Sequence, residues 1–310
     1  MKECDALIIG SGPAGNTAAI YLARSGFKTI IATGAEVGGQ LTFAADIENF
    51  PGFPSPIKGG DLMGLMLEQS QKFGVEIVYD AIAGVDFSKR PFLCKGENGE
   101  IFRAKNVLIA VGAKAKYLGL EGEKKYAGHG VSVCATCDGN FFRNKVTAVI
   151  GGGNVAGIEA IHLSNLASKV YLIYRGEKFF RMEKTIIDRI SGCPSIECIF
   201  NSEATKIIGA ENPPRVEAVE IINKKTNKKT LINLSGIFIA IGREPNTAVF
   251  AGSGLILDEL GYVTTAPNSA KTNIPGVYAA GDVAQRKFKQ AVLAAGWGCM
   301  AAMEMAEDNF

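Results

Sequence analysis

One pattern constrains the fold of this chain more than any other: a glycine-rich turn between an apolar strand and a helix. Residues 7–9 form a short apolar strand, and residues 10–15 follow with the sequence Gly-Ser-Gly-Pro-Ala-Gly. Residues 16–23 continue with the apolar spacing of a helix, and 27–32 form a second apolar strand. Such glycines permit a tight turn and bring a pyrophosphate close to the helix N-terminus, where free N–H groups favour negative charge. The sequence therefore predicts a dinucleotide site at this βαβ unit.

The same unit recurs in the middle of the chain. Residues 146–150 form an apolar strand, 151–156 read Gly-Gly-Gly-Asn-Val-Ala, and 158–167 have helical spacing before a strand at 169–173. Ala156 takes the third glycine position, a replacement that the pattern permits. The second copy predicts a second nucleotide site; the alternative is a degenerate repeat that binds no nucleotide.

The segments that follow the two glycine turns are also alike. Each contains short strands and then an apolar strand that ends in glycine. The predicted strands are 75–79, 84–87, 92–95, 101–104 and the apolar run 106–111 in the first half, and 195–200, 216–222, 229–234 and the apolar run 236–241 in the second. A strand over 277–282 and a small-residue helix over 290–306 complete the chain. We therefore predict an α/β fold with two Rossmann-like, three-layer (ββα) nucleotide-binding domains, the first of them discontinuous.

Charge and hydropathy exclude several classes of protein. The formal net charge of +2 over 310 residues is too small to favour nucleic acid or an acidic membrane as partner. Lysines within 224–229 indicate an exposed hairpin turn. No apolar run approaches the ~20 residues of a membrane span, and the chain begins directly with a strand instead of a secretory signal. We expect a cytoplasmic protein with no membrane or nucleic acid partner.

Two of the seven cysteines, Cys134 and Cys137, lie three residues apart just ahead of the second glycine turn. Such a pair can cycle between dithiol and disulfide, bind zinc with two further ligands, or form two inert structural thiols. Only two histidines are present, and Cys193 and Cys198 have a different spacing, so the composition favours the redox interpretation. The spacing alone leaves all three interpretations open.

Asp138 follows Cys137 directly. It is either a turn or helix-capping acid, which is common in any protein, or a general acid that protonates a departing thiolate. The residue type and position leave both roles open.

These motifs resemble the low-molecular-weight bacterial thioredoxin reductases, which are class II FAD-dependent pyridine nucleotide-disulfide oxidoreductases. The resemblance covers nearly the whole chain, and Cys-Ala-Thr-Cys-Asp-Gly at 134–139 is its most specific motif. The other matching segments are the first glycine turn, Gly-Ala-Glu-Val-Gly-Gly-Gln-Leu at 34–41, Glu-Asn-Phe-Pro-Gly at 48–52, Gly-Gly-Gly-Asn at 151–154, Ala-Ile-Gly at 240–242 with Pro-Asn-Thr at 245–247, and Ala-Ala-Gly-Asp at 279–282. Relatives of the glutathione-reductase type carry their disulfide in the first unit, where nothing in this chain matches.

The resemblance implies a thioredoxin-disulfide reductase that passes electrons from NADPH through FAD to Cys134 and Cys137, and then to oxidised thioredoxin. It implies that Cys137 is the sulfur nearer the flavin, that Cys134 attacks thioredoxin, and that Asp138 is the acid. Family members are homodimers whose two domains rotate against each other. The implied domains are an FAD-binding domain at 1–115 and 245–310, and an NAD(P)H-binding domain with the disulfide at 116–244.

The resemblance also implies which residues contact the cofactors; it implies no metal ligand. In the first domain these residues are Gly10, Gly12, Pro13, Ala14, Gly15, Thr33, Gly34, Glu36, Gly38, Gly39, Gln40, Leu41, Asn49, Val85, Ala110, Gly112, Gly281, Asp282, Lys289, Gln290 and Ala291. In the second domain they are Gly151, Gly153, Asn154, Val155, Ala156, Arg175, Arg181, Ile241 and Gly242.

The chain departs from the family pattern where a 2′-phosphate would be bound. The family has His-Arg-Arg followed by a further arginine, whereas this chain has Arg175, then Gly176 in place of the second arginine, and Arg181 one residue later than the pattern. Because guanidinium groups hold phosphates, we expect NADPH while NADH stays possible, and Glu177 could favour a 2′-hydroxyl. Val111 also stands where the family has threonine, which we interpret as a tolerated strand end.

Three alternatives to the thioredoxin reductase interpretation remain open. The first is a related dithiol reductase that uses NADH or ferredoxin, or serves another thioredoxin-fold or peroxidase partner. The second is a flavin-bound redox sensor, and the third is a zinc-stabilised FAD-binding module.

Overall fold

The computed structural model describes residues 1–44 and 46–309, and it divides the chain into two compact units. Unit 1 runs from Met1 to Lys114 and resumes at Glu244, and unit 2 is Ala115–Arg243. The chain crosses from one unit to the other within two short strands, β7 (Ala113–Ala115) and β16 (Arg243–Pro245), which form a two-stranded sheet.

The described residues of unit 1 form a seven-stranded mixed sheet and three α-helices. Its strands are β1 (Lys2–Ile9), β2 (Thr29–Ala32), β3 (Glu76–Val78), β4 (Ile82–Asp86), β5 (Phe92–Gly96), β6 (Ile101–Ile109) and β17 (Val277–Ala279), and its helices are α1 (Pro13–Arg24), α2 (Gly59–Lys72) and α6 (Ala291–Glu307). The strand order is β3-β2-β1-β6-β5-β4, and β17 also pairs with β6. Strands β1, β2, β3, β6 and β17 are parallel, whereas β4, β5 and β6 form an antiparallel meander.

The side chains of β1 show how this sheet builds its core. Ile8 belongs to the apolar cluster that α1 and α6 share, whereas Leu7 and Ile9 belong to the cluster on the other face, which contains Phe92 and Phe250. Both faces of the central strand are therefore buried. This explains why residues 6–9 have a continuous apolar run instead of an alternating one.

Unit 2 contains a parallel sheet with helices against one face and an antiparallel sheet against the other. Its strands are β8 (Val131–Ser132), β9 (Val146–Ile150), β10 (Lys169–Ile173), β11 (Ile196–Ile199), β12 (Ser202–Glu211), β13 (Pro214–Asn223), β14 (Lys229–Asn233) and β15 (Gly236–Ile239), and its helices are α3 (Ala135–Asp138), α4 (Asn154–Ser164) and α5 (Lys184–Ser191). The parallel order is β11-β10-β9-β15-β8, and β12-β13-β14 form the antiparallel sheet. Val149 packs toward α4, and Ala148 packs toward the antiparallel sheet. The two units confirm the predicted α/β fold class.

Several predicted elements differ in the structure. The segments 101–104 and 106–111 were predicted as separate, but the first nine residues, 101–109, form the single strand β6. Its side chains alternate between exposed and buried over 101–105 and are all buried over 106–109, so one strand shows two patterns of burial. The sequence pattern did not predict β12, whose alternation is broken by irregularities between Ala204 and Lys206 and between Ile208 and Gly209. Helices α2 and α5 were not predicted either.

One prediction at the surface is confirmed. The lysine-rich segment 224–229 forms the turn between β13 and β14 that the sequence predicts. Among the described residues, no helix is long and apolar enough to cross a membrane.

Candidate functional site

The first glycine turn joins β1 to α1 in unit 1. Gly10 has a positive φ of 111°, and a side chain on Gly15 would run into the carbonyl oxygen of Gly10. These two positions therefore require glycine, since the chain reverses while the helix backbone touches the turn. Gly12 is the N-cap residue of α1 and Pro13 its first residue, and no side chain caps the helix. The first N–H groups of α1 are thus left without a side-chain acceptor.

The loop after β2 lies against this turn. The Ser11 hydroxyl donates to the Thr33 carbonyl at 3.0 Å and accepts the Gly38 N–H at 2.9 Å. Gly38 and Gly39 both have positive φ, which lets the loop pass close to Gly12. A 3₁₀ helix over Gly39–Phe43 follows and contains Gln40 and Leu41. The structure thus brings Thr33, Gly38 and Gly39 of the predicted set to the first glycine turn.

Other predicted residues join them because parallel strands end at the same edge of the sheet. The Ala110 N–H donates to the Ile9 carbonyl, and the Ala280 N–H donates to the Ile109 carbonyl, each near 3 Å. Gly281, two residues after the end of β17, lies close to Ala14 of α1. Gly112 follows at the end of β6 with a φ of 65°.

The start of α6 comes to this edge as well. The Lys289 ammonium donates to the Asp282 carbonyl oxygen at 2.7 Å and lies 4.5 Å from the centre of the Tyr262 ring. Asn49 donates to the Gln290 side-chain oxygen at 3.3 Å, and Gln290 is the N-cap residue before Ala291. Segments far apart in sequence therefore meet around one turn.

Two further residues need separate description: Val85, from the expected set, and Val111, where the chain departs from the family pattern. Val85 lies on β4, the edge strand at the opposite end of the sheet order from β3, and packs against the cluster that contains Phe92. Val111 contributes its carbonyl oxygen, which accepts from the Asn246 side chain at 2.8 Å. That contact uses only the backbone of Val111, and its side chain packs against the cluster that contains Phe92.

The second glycine turn joins β9 to α4 in unit 2. The Gly151 N–H donates to the Ile173 carbonyl at 3.1 Å, and the Ala240 N–H donates to the Ile150 carbonyl at 2.8 Å. These contacts bring the ends of β10 and β15, with Ile241 and Gly242 just beyond, to the turn. Gly153 is the N-cap residue of α4, has no side-chain cap, and faces open space where a side chain would be.

The residues on the first turn of α4 differ from one another in their contacts and in their burial. Asn154 and Glu183 exchange two hydrogen bonds, at 2.7 and 2.8 Å, which fix the loop before α5 against the helix start. Val155 is exposed, and Ala156 is fully buried against the sheet. Asn154 thus reaches Glu183, a partner that the sequence pattern did not indicate.

The arginine segment lies next to this turn. Arg181 forms a parallel β-bridge with Gly153, so its backbone runs beside the N-terminus of α4. Arg175 is exposed two residues after the end of β10. Glu177 forms an ion pair with Lys225 at 3.4 Å, which draws its carboxylate toward the β13–β14 turn.

Tyr174 explains the glycine at position 176. A Cβ atom on Gly176 would lie 2.6 Å from the Tyr174 ring, and one on Gly152 would also collide with that ring. Tyr174 stacks on Phe179 with ring centres 5.7 Å apart. The aromatic ring therefore fills the space between two glycines, and an arginine at 176 requires a different packing of Tyr174.

Cys134 and Cys137 form a disulfide, with Cα atoms 5.3 Å apart. Cys134 lies two residues after the end of β8, and the short helix α3 begins at Ala135 and contains Cys137. Cys134 is half-buried, whereas Cys137 is exposed. Within the described residues, no group of three or more histidine, cysteine or acidic side chains is placed to hold a metal ion. The geometry is that of a redox pair at the surface of unit 2.

Asp138 interacts with Ser132, which lies two residues before Cys134. The Ser132 hydroxyl donates to Asp138 Oδ2 at 2.6 Å and accepts the Cys134 N–H at 3.0 Å. Burial raises the pKa of Asp138, and the hydrogen bond from Ser132 opposes this effect. The Asp138 side chain makes no capping hydrogen bond, so of its two predicted roles the geometry favours that of a general acid.

Glu159 is a residue of this site that sequence reasoning missed. It lies on α4 and is half-buried, and its Oε2 atom is buried. Burial raises its pKa to about 7. An acidic residue in an otherwise apolar helix stretch, 155–161, was the available signal.

Comparison with known proteins agrees with this geometry. Residues 4–298 match the model of the pyridine nucleotide-disulphide oxidoreductase family. The chain belongs to this family. It is 46% identical over 301 residues to thioredoxin reductase from Rickettsia prowazekii (strain Madrid E), covering 97% of this chain and 96% of that protein.

Solved structures give the same result. The structure of thioredoxin reductase from Giardia duodenalis superimposes with a TM-score of 0.93 at 36% identity, covering 100% of this chain and 99% of that one. Thioredoxin reductase from Streptococcus pyogenes MGAS5005 superimposes with a TM-score of 0.92 at 37% identity, covering 99% and 98%. The predicted resemblance to low-molecular-weight thioredoxin reductases is confirmed.

Proposed function

We propose that this chain is an NADPH-dependent thioredoxin-disulfide reductase. Electrons pass from NADPH through FAD to the Cys134–Cys137 disulfide and then to oxidised thioredoxin. The observation that carries the proposal is the disulfide itself, which lies directly ahead of a second glycine turn in unit 2. The similarity to proteins named thioredoxin reductase over almost their whole length supports it.

We assign FAD to unit 1. A pyrophosphate needs free N–H groups and open space at a helix N-terminus. Gly12 provides both, because α1 has no side-chain cap and a Cβ atom on Gly12 would have only the Gly38 oxygen within 4 Å, at 3.9 Å. The residues of unit 1 that gather around this turn would hold the rest of the cofactor. Its domain is 1–115 with 245–310, and the NADPH domain is 116–244.

We assign NADPH to unit 2, at the uncapped N-terminus of α4. Arg181, whose backbone lies beside Gly153, and Arg175 at the end of β10 would supply the charge for a 2′-phosphate. The ion pair between Glu177 and Lys225 supports NADPH over NADH, since it engages the carboxylate that could otherwise accept from a 2′-hydroxyl. The loss of an arginine at Gly176 leaves two guanidinium groups for this role.

The bound cofactors supply hydride transfer and the delivery of an electron pair to a disulfide. Within the chain, reduction breaks the Cys134–Cys137 bond, places two electrons on the two sulfurs and requires two protons. Asp138, next to Cys137 and with a raised pKa, can donate one of them. The Cys134 thiolate then attacks the disulfide of thioredoxin, and Cys137 resolves the mixed disulfide, which restores the internal bond and releases a dithiol.

Steady-state reduction of oxidised thioredoxin with each nicotinamide cofactor tests the proposal. We expect multiple turnovers with NADPH. The Cys134→Ser variant should keep flavin reduction by NADPH in stopped flow and lose thioredoxin turnover. Cys193→Ser, at a half-buried free cysteine of the same unit, is the matched control and should retain turnover. Turnover in Cys134→Ser would remove Cys134 as the attacking thiol.

Gly176 favours one second candidate, a related reductase whose electrons come from NADH or ferredoxin, or which serves another thioredoxin-fold or peroxidase partner. Anaerobic mixing with NADPH and with NADH separates these cases. No loss of flavin absorbance with either nucleotide would exclude pyridine nucleotide as the donor.

We further propose that the protein is a cytoplasmic homodimer. Five cysteines besides the redox pair carry free thiols, which a reducing compartment would preserve. Light scattering after size-exclusion chromatography tests the dimer, for which the expected mass is twice the 32.8 kDa of one chain.

A further inference from the structure

The Thr136 hydroxyl lies within hydrogen-bond distance of one sulfur of the redox pair. Its Oγ1 atom is 3.3 Å from the Sγ atom of Cys134. Because Cys134 is bonded to Cys137 in the disulfide, its sulfur carries no proton, so the proton of this contact belongs to the hydroxyl. Thr136 therefore donates to Cys134, and the reaction described above gives this hydroxyl no role.

The backbone of the redox turn holds the hydroxyl beside that sulfur. The Cys134 carbonyl accepts the Cys137 N–H at 3.3 Å and the Asp138 N–H at 3.1 Å, which closes the turn around Thr136. The Cys134 N–H donates to the Ser132 hydroxyl at 3.0 Å. None of these bonds uses a sulfur atom, so the opening of the disulfide does not break them. Thr136 thus stays within reach of the Cys134 sulfur after reduction.

The contact gains strength when the Cys134 sulfur becomes a thiolate. A neutral sulfur is a weak acceptor, whereas a hydrogen bond donated to the charged form of a group favours that form. Cys134 is half-buried, so its thiolate is solvated less fully than one on the open surface. Thr136 is exposed, and its hydroxyl competes with water as a donor. We therefore expect a modest effect, of the size of one net hydrogen bond.

We infer that the Thr136 hydroxyl is a catalytic group that stabilises the Cys134 thiolate and favours this sulfur as the nucleophile, an inference that rests on the proposed function. When the disulfide accepts two electrons from the reduced flavin, the sulfur–sulfur bond breaks and leaves two thiolates, of which the one on Cys137 takes up a proton. The Cys134 thiolate then bonds to one sulfur of the thioredoxin disulfide, whose own bond breaks and releases the second sulfur as a thiolate. The hydroxyl proton stays on Thr136 throughout.

Charged and titratable side chains that the structure places near this turn are on α3, α4 and β16. Asp138 on α3 accepts from the serine before the pair at 2.6 Å. On α4, His162 lies close to the glycine that follows Asp138. Glu159, also on α4, interacts electrostatically with Asp138 and with Arg243 of β16. A substitution of Thr136 leaves all of these groups in place, so a shift that follows removal of the hydroxyl is due to the hydroxyl.

The test measures the thiol without using turnover. The complete FAD-loaded protein is reduced with a small thiol, freed of reductant without oxygen, and alkylated briefly with iodoacetamide between pH 6 and pH 10. Trypsin releases residues 126–143 as one peptide that contains both cysteines, so fragment ions in mass spectrometry assign the label to Cys134 or to Cys137. The labelling rate of Cys134 against pH gives the midpoint at which its thiolate forms.

Three variants separate the hydroxyl from the rest of the side chain. Thr136→Val removes the hydroxyl and keeps the shape, whereas Thr136→Ser keeps a hydroxyl and removes the methyl group. Thr230→Val, at an exposed threonine on β14 of the same unit, is the matched control.

We expect Thr136→Val to move the Cys134 midpoint about half a pH unit higher, because the thiolate loses a donor. Thr136→Ser and Thr230→Val should match the unaltered protein. Coincident profiles for Thr136→Val and the unaltered protein would overturn the inference, as would an equal shift in Thr136→Ser, which would trace the effect to the methyl group. Failure of the proposed function would appear separately, as absent thioredoxin turnover with a readable alkylation profile.

Discussion

Ser132 links the two ends of the redox turn: its hydroxyl donates to Asp138 at 2.6 Å and accepts the backbone N–H of Cys134 at 3.0 Å. Asp138 is thereby held by the residue that also orients the first cysteine. A single serine before the disulfide thus couples the position of an acid to the position of a sulfur.

Removal of the Asp138 carboxyl should slow the reduction of the disulfide but not the reduction of the flavin. In Asp138→Asn we expect thioredoxin turnover to fall about 100-fold, since general acid catalysis typically contributes that much or more. Flavin reduction by NADPH in stopped flow should stay unchanged. Asp188→Asn, on α5 of the same unit, is the control. Turnover within twofold of the unaltered protein would show that Asp138 is not the proton donor.

Loss of the Ser132 hydroxyl should shift the pH dependence of thioredoxin turnover. The hydrogen bond from Ser132 lowers the pKa of Asp138, so Ser132→Ala should raise that pKa. Because the acid acts in its protonated form, the decline of activity on the alkaline side should move to higher pH. Steady-state rates between pH 5 and pH 9 measure the shift, and Ser202→Ala is the control. A shift to lower pH would contradict this account.

Glu159 should make stability depend on pH. Its pKa is about 7 in the folded protein, against an ordinary value of 4.5, so folding favours the protonated form. This contribution is fully present below about pH 4.5 and is lost as the pH rises through about 7. The free energy of unfolding of Glu159→Gln, taken relative to that of the unaltered protein, should therefore be about 1–3 kcal/mol higher at pH 8 than at pH 5. Chemical unfolding at both pH values measures this; an equal difference at both would refute it.

The two arginines near the second glycine turn should determine affinity for NADPH. Arg181→Ala and Arg175→Ala should each raise the KM for NADPH about tenfold, the loss expected for a charge-assisted hydrogen bond. The KM for NADH should change little, because NADH lacks the 2′-phosphate. Arg189→Ala, near the end of α5, is the control. Equal effects on both cofactors would argue against 2′-phosphate binding.

Restoration of the family arginine should require a second change. Gly176→Arg alone should destabilise the protein by about 1–3 kcal/mol, because the new side chain overlaps the Tyr174 ring. Combination with Tyr174→His, which removes part of that ring, should recover stability and lower the KM for NADPH. Thermal unfolding and steady-state kinetics of both variants measure the outcome. A stable single variant would mean that Tyr174 repacks freely.

The sequence by itself determined the two glycine turns, the adjacent cysteines and the α/β class. Each of these depends on residues that are close in the chain, and a strand, a glycine turn and a helix leave a local pattern. The spacing of Cys134 and Cys137 also follows from the sequence, but it left three interpretations open, and the disulfide itself is seen only in the structure.

Only the tertiary structure decided how Gln290 meets Asn49, why position 176 is glycine, and that the Oε2 atom of Glu159 is buried. These relationships join residues that are distant in sequence, and they depend on which strand ends and helix faces the sheet brings together. Burial depends on the same packing, so the raised pKa of Glu159 could not be read from an acid in a helical segment alone.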